Sequence, residues 1–106
     1  PQANVPLLAA LADLLYSRGF KSETRAIFAY DDRLRLLPSY LQQLVMESNG
    51  KSAALAGGTV DGPTSAILWG GTGTDAQHAV FQLLHQGTRL VPVEFVAVAA
   101  QGDEQD

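Results

Sequence analysis

Apolar residues recur at the spacing of an α-helix in three stretches of the chain, at residues 5–17, about 38–49 and about 76–86. Asn4 precedes the first stretch and Asp75 precedes the third, and both residue types accept hydrogen bonds from the free amides at a helix start. The pattern therefore predicts three helices. The predicted apolar face of the second helix consists of Leu37, Leu41, Leu44 and Val45.

Three short, continuous apolar runs lie between and after these helices, at residues 26–30, 65–69 and 90–98. Runs of this length without polar alternation are typical of strands that are buried on both faces of a parallel sheet. The glycine-rich residues 70–74 predict a tight turn after the second run. Residues 52–64 predict a loop that can hold a small hairpin.

The order helix, strand, helix, strand, helix, strand predicts an α/β fold with a layered, mostly parallel sheet and crossover helices. The composition, 46% hydrophobic and 17% charged, is that of an ordinary globular protein. Because a sheet of about three strands would end without a final helix, we expect residues 1–100 to be part of a larger domain. The acidic residues 101–106 are expected to form a flexible tail.

The charge pattern argues against several partner classes. Seven basic and 11 acidic side chains give a net charge of −4, and the basic residues form no stripe that could follow a nucleic-acid backbone. There is no cysteine, which excludes disulfides and thiolate chemistry. No apolar run approaches the roughly 20 residues of a membrane helix, and the first residues do not resemble a signal peptide. These features predict a cytoplasmic protein that binds neither nucleic acid nor membrane.

Two polar residues on the second helix are candidates for chemistry. Gln43 and Glu47 are four residues apart, so they share one face of the helix. A partly buried carboxylate near the end of a helix is suited to act as a general base. Spacing alone leaves the simpler alternative open, in which Glu47 is a solvated residue at a helix end.

Histidine offers a second candidate, since its side chain can donate or accept a proton near neutral pH. His78 is expected in the first turn of the third helix, facing the crevice at the carboxyl ends of the strands. His85 lies seven residues further on, too far for the adjacent-turn spacing of a helical metal pair. We therefore assign no metal site. Spacing alone favours the simpler interpretation of His78 as a polar helix residue.

The glycine-rich segment also matches a dinucleotide-binding pattern in form, as Gly71-x-Gly73-x-x-Ala76 after a strand. Glu94 falls near the position of the acid that would bind the ribose, but it lies inside the third strand. Short glycine patterns occur often by chance, and a tight turn needs glycines for its geometry alone. Dinucleotide binding is thus the weaker interpretation.

Taken together, three segments of the chain resemble the glucose-6-phosphate isomerase family. Residues 40–43 and 46–51 (YLQQ and MESNGK) resemble the helix that carries the catalytic base of that family. Residues 69–70, 73–74 and 77–79 (WG, GT and QHA) resemble its conserved turn and histidine, whereas residues 71–72 and 75–76 (GT and DA) depart from the family. The string FQLLHQGT at residues 81–88 continues the match, so the resemblance extends over nearly the whole chain.

The resemblance implies an enzyme that interconverts glucose 6-phosphate and fructose 6-phosphate in glycolysis and gluconeogenesis. Glu47 would be the base that moves a proton between C1 and C2 through an enediolate. His78 would assist ring opening from the partner subunit of a homodimer, and Gln43 would contact the substrate. The resemblance implies no metal or organic cofactor.

The resemblance also implies that the chain is part of the second sugar-isomerase (SIS) domain of such an enzyme. The phosphate-binding loop, an arginine and a lysine of the family's active site have no counterpart among these residues, so we expect the isolated chain to be inactive. Two alternatives remain open from the sequence: a stand-alone phosphosugar-binding or dimerisation module, and a fusion of the isomerase with a transaldolase.

Overall fold

The computed structural model describes residues 4–99 and contains three helices that alternate with three strands. Two of the helices end in a π-helical turn, and a short 3₁₀ segment follows the first strand. The elements in chain order are α1 (Val5–Leu14) with its π turn (Leu15–Gly19), β1 (Thr24–Ala29), the 3₁₀ segment (Asp32–Leu34), α2 (Leu37–Gln42) with its π turn (Gln43–Glu47), β2 (Ile67–Thr72), α3 (Gly73–Gln86) and β3 (Val93–Val96).

The three strands form one parallel sheet in the order β2–β1–β3. In the register of this sheet, Ala26 of the central strand lies opposite Trp69 on one side and Val93 on the other. Each pair of successive strands is joined by a helical crossover, α2 or α3. The predicted α/β fold, with a parallel sheet and crossover helices, is therefore confirmed.

The two crossover helices lie on opposite faces of this sheet. The connection through α2 steps from the centre of the sheet to one edge, and the connection through α3 steps back past the centre to the other edge. Crossovers between parallel strands are right-handed almost without exception, so opposite directions of travel along the sheet place the helices on opposite faces. The side chain of Phe28 marks the α3 face, since its ring lies 5.5 Å from that of Phe81.

The core is centred on β1. Residues 26–29 are at most 2% exposed, as expected for the middle strand of a parallel sheet. On the α3 face the ring of Phe28 packs against neighbouring strands, with Trp69 at 5.9 Å and Phe95 at 6.1 Å between centroids. By contrast, α1 leaves large apolar side chains more than half exposed: Val5, Leu7, Leu8, Leu11 and Leu14.

The glycine-rich segment differs from its prediction. β2 continues to Thr72 and α3 begins at Gly73, so the expected tight turn at 70–74 is wrong. Thr72 occupies the helix N-cap position, and Asp75 lies in the first turn instead of capping it. The physical reason is close strand packing, because a Cβ atom on Gly70 would collide with the backbone carbonyl oxygen of Ile27. Glycine is needed here for close approach within the sheet.

The remaining expectations are met only in part. The loop after α2 contains an antiparallel bridge between Ala53 and Thr59, which is the small hairpin allowed by the sequence. Leu44 was expected on the apolar face of the second helix, but it is 48% exposed. The third strand is confined to Val93–Val96 within the predicted run. The acidic tail predicted at 101–106 lies outside the described residues.

Candidate functional site

Glu47 is the last residue of the π turn that extends α2. The helix ends shortly after it at Gly50, whose amide donates to the carbonyl oxygen of Met46 at 2.8 Å. A Cβ atom at Gly50 would collide with that oxygen, so glycine fits this position. The ammonium group of Lys51 donates to the carbonyl oxygens of Glu47 at 2.6 Å and Ser48 at 3.1 Å. A cation at this end also offsets the negative pole of the helix dipole. Gly50 and Lys51 thus fix the backbone that presents Glu47.

Gln43 and Glu47 line the same open depression, as their spacing predicted. Its volume is about 380 Å³, and its other lining residues are Tyr40, Leu44 and Ser48. Both Gln43 and Glu47 are exposed to solvent. The expectation that Glu47 is partly buried is therefore wrong for this chain by itself, because Glu47 lies with Gln43 on the exposed face of the helix.

His78 lies in the second turn of α3, not in the first, because the helix begins three residues earlier than predicted. Its side chain is exposed. The start of the helix is held against the end of β1 by Tyr30, whose hydroxyl accepts a hydrogen bond of 3.0 Å from the side-chain amide of Gln77. The Tyr30 ring also lies where a Cβ atom of Gly73 would be. Local packing therefore fixes the backbone next to His78.

Within one chain the structure does not bring Glu47 and His78 together. Glu47 belongs to α2 and His78 to α3, and the sheet separates these two helices. In addition, α2 starts at the carboxyl end of β1 and runs back toward the amino ends of the strands, so Glu47 lies far along it. His78 lies close to the carboxyl end of β2.

The weaker interpretations of the sequence find no support in this geometry. A dinucleotide fingerprint needs a glycine turn between strand and helix, whereas β2 passes directly into α3 and the ring of Tyr30 covers Gly73.

His85 makes an edge contact with the ring of Phe81 at 6.2 Å. Among residues 4–99 no group of three potential metal-ligating side chains occurs. No helix in the same range is long and apolar enough to cross a membrane.

Comparison with known proteins decides the family. The sequence profile described as phosphoglucose isomerase matches residues 1–106, the full length of the chain. The chain belongs to the phosphoglucose isomerase family. It is 75% identical over 97 residues to a glucose-6-phosphate isomerase of Rhizorhabdus wittichii, and 62% identical over 103 residues to that of Zymomonas mobilis.

Solved structures of this family show the same arrangement of elements. A crystal structure of a glucose-6-phosphate isomerase from Chlamydia trachomatis matches with a TM-score of 0.82 at 44% identity, over 87% of this chain and 18% of that one. The two sequence matches include 92% and 97% of this chain, but only 19% and 20% of the length of the two relatives. It thus spans about a fifth of a phosphoglucose isomerase.

Sequence reasoning missed two residues that hold the site segments in place, Tyr30 and Gln42. The side-chain amide of Gln42 donates to the carbonyl oxygen of Leu68 at 3.0 Å, which joins α2 to β2. A polar residue on the inner side of a helix is a visible signal for such a bond, but its acceptor, 26 residues away, can be named only from the fold.

Proposed function

We propose that the protein containing this chain is a glucose-6-phosphate isomerase, in which Glu47 is the base, His78 assists ring opening and Gln43 contacts the sugar. Family membership and the names of the relatives support the activity. The same names favour an enzyme over a stand-alone binding module. The observation that carries the proposed site is the open depression shared by Gln43 and Glu47.

The chemistry needs one carboxylate that both removes and returns a proton. In the open-chain aldose, Glu47 would take the proton from C2, leaving an enediolate; after a proton passes from O2 to O1, Glu47 would deliver its proton to C1 to give the ketose. Its position on a short backbone segment held by Gly50 and Lys51 suits this role, because a base must stay aligned with both carbons. Gln43, one turn earlier, can bind a sugar hydroxyl beside it.

The ring-opening step would use His78 of a second copy. A histidine can accept a proton from one oxygen and donate one to another, which is what opening a cyclic hemiacetal requires. Since α2 and α3 lie on opposite faces of the sheet, a homodimer in which α3 of one copy approaches α2 of the other would complete two equivalent sites.

The remaining parts of the site would come from other segments of the parent protein. We assign this chain to its second SIS domain, and the phosphate-binding loop, the arginine and the lysine expected for the family to regions beyond these residues. Without them the isolated chain would lack most of the positioning and charge stabilisation that such a reaction needs. The parent would act in the cytoplasm on sugar phosphates.

The proposed sharing of sites between two copies predicts the behaviour of hybrid dimers. In the intact parent enzyme, Glu47→Gln and His78→Ala are each expected to abolish nearly all turnover. In a hybrid of the two variants, one site carries both substitutions and the other carries none. Hybrids purified through two different tags should therefore recover about half of the parent activity.

The controls separate sharing from other effects. Dimers with Glu47→Gln in both copies should stay inactive while still binding substrate, measured by isothermal titration calorimetry. Glu23→Gln, at an exposed carboxylate that does not line the depression, should keep full activity. Hybrids without activity would show that both residues act within one copy, and full turnover by Glu47→Gln would refute the assignment of the base.

A further inference from the structure

Gln42 forms a side-chain hydrogen bond between the segment carrying Glu47 and the sheet. Its amide nitrogen donates to the carbonyl oxygen of Leu68 over 3.0 Å, in a partly buried setting. Leu68 belongs to β2, which continues directly into the helix of His78. The bond therefore joins the two parts of the chain that carry candidate chemistry.

Within residues 4–99 the acceptor of this bond lies on the side of β2 that no other strand covers. The Ile67 amide donates to the carbonyl oxygen of Glu23 beside β1, so the backbone groups of Ile67 face the central strand. The N–H and C=O groups of the next residue point the other way, toward the open side of β2. Gln42 thus satisfies an edge carbonyl at a part-buried position, where loss of the donor costs more than at a solvated one.

The position of Gln42 along the helix makes the bond relevant to Glu47. Gln42 is the last residue of α2, and the π turn Gln43–Glu47 begins directly after it. π turns are rare, occur often at functional sites and depend on their surroundings for stability. This one is held on its far side by Lys51 and on its near side by Gln42.

From this arrangement we propose that Gln42 is a positioning residue for the base: it fixes the start of the π turn on the edge of β2 and so aims Glu47 and Gln43 at the substrate. This inference rests on the function proposed above. Gln42 does not line the depression and is not expected to touch the sugar.

The test is Gln42→Met in the intact parent enzyme, which keeps side-chain length but removes the donor. The variant should lower kcat about tenfold with KM changed less than about twofold, because misaligning a base affects the transition state more than binding. The kinetic isotope effect on kcat with glucose 6-phosphate deuterated at C2 should also rise, since proton transfer becomes more rate-limiting. A smaller amount of folded enzyme would leave that isotope effect unchanged.

Gln86→Met, at an exposed position at the end of α3, is the matched control and should behave as the parent. An unchanged kcat and isotope effect, with or without a lower melting temperature, would overturn the inference, and so would a rise in KM alone. If Gln42→Met does not fold, Gln42→Asn, whose amide is one methylene too short to reach Leu68, is judged by the same criteria. Glu47→Gln measured in parallel separates the two proposals: normal turnover there would overturn the proposed function, whereas an inactive Glu47→Gln beside a normal Gln42→Met would overturn only the role of Gln42.

Discussion

The segments that carry Glu47 and His78 are both exposed, yet they are held in different ways. The Glu47 segment is a π turn fastened at its two ends by side chains, Gln42 and Lys51, that donate to backbone carbonyls. The His78 segment is a helix that follows β2 without a connecting loop, and it depends on close packing around Gly70 and Gly73. The first segment is fixed mainly by hydrogen bonds. The second is fixed mainly by close packing at glycines, with one hydrogen bond between Gln77 and Tyr30.

This difference indicates how each segment responds to substitution. A hydrogen-bonded turn can lose one donor and shift slightly, so its changes should appear in the alignment of the base. A close-packed strand has no room for an added atom, so its changes should appear in the stability of the sheet. Single substitutions can therefore separate effects on chemistry from effects on folding.

The largest effect on the α3 side is expected from His78 itself. In the intact enzyme, His78→Ala should reduce turnover of the cyclic substrate by about 10²–10⁴-fold, the usual contribution of acid–base catalysis. Turnover of a sugar phosphate that cannot form a ring should fall far less, because that substrate does not need the ring-opening step assigned to the histidine. Steady-state kinetics with both substrates measures the difference.

His85→Ala is the matched control for this prediction. His85 lies on the same helix, where its ring contacts that of Phe81, and its loss should leave both reactions nearly unchanged. Equal losses on cyclic and open-chain substrates in His78→Ala would contradict a role in ring opening.

The next effect concerns the packing beneath α3. Gly70→Ala should lower the free energy of unfolding by about 3 kcal/mol, because its Cβ atom would strike the Ile27 carbonyl oxygen and push β2 away from β1. Gly71→Ala, one residue along the same strand, is the control, since its Cβ atom would meet that of Ala76 at an ordinary 3.9 Å. Denaturant unfolding of both variants measures the difference, and equal stabilities would refute close packing at Gly70.

The sequence predicted the order of elements correctly, because β1 is a short run of apolar residues, Ala26 to Ala29, that is buried on both faces. It also placed Gln43 and Glu47 together, since their spacing alone puts them on one helix face. Glycine has several uses, however, and a glycine-rich string cannot distinguish a turn from a strand in tight contact with its neighbour. Gly70 was therefore assigned to a turn although it belongs to β2.

Two features of the site depend on contacts that are distant in the chain. The separation of Glu47 and His78 follows from the strand order β2–β1–β3, and that order is set by which edges of β1 the later strands join. The exposure of Glu47 follows from which face of this helix packs against the sheet. Neither feature could be predicted from helical spacing, which describes one element at a time.

The smallest expected effect concerns Asp31, which lies in the connection between β1 and α2. This connection leads into the opposite end of the helix from Glu47. Asp31 accepts hydrogen bonds from the side chain and the backbone amide of Arg33, and these bonds lower the pKa of its carboxyl to about 2. Because the pKa in the folded state is below the ordinary value near 3.9, this pair adds stability above about pH 4 and loses it as the pH falls toward 2. Asp31→Asn should therefore lower the melting temperature of the intact enzyme slightly at pH 6. The difference in melting temperature between variant and parent should disappear as the pH falls below 4.

Asp61→Asn, at an exposed loop position, serves as the control. A difference in melting temperature that stays constant with pH would show that the Asp31 charge does not stabilise the fold. The kcat at pH 7 should not change, because Asp31 and Arg33 do not line the depression around Glu47.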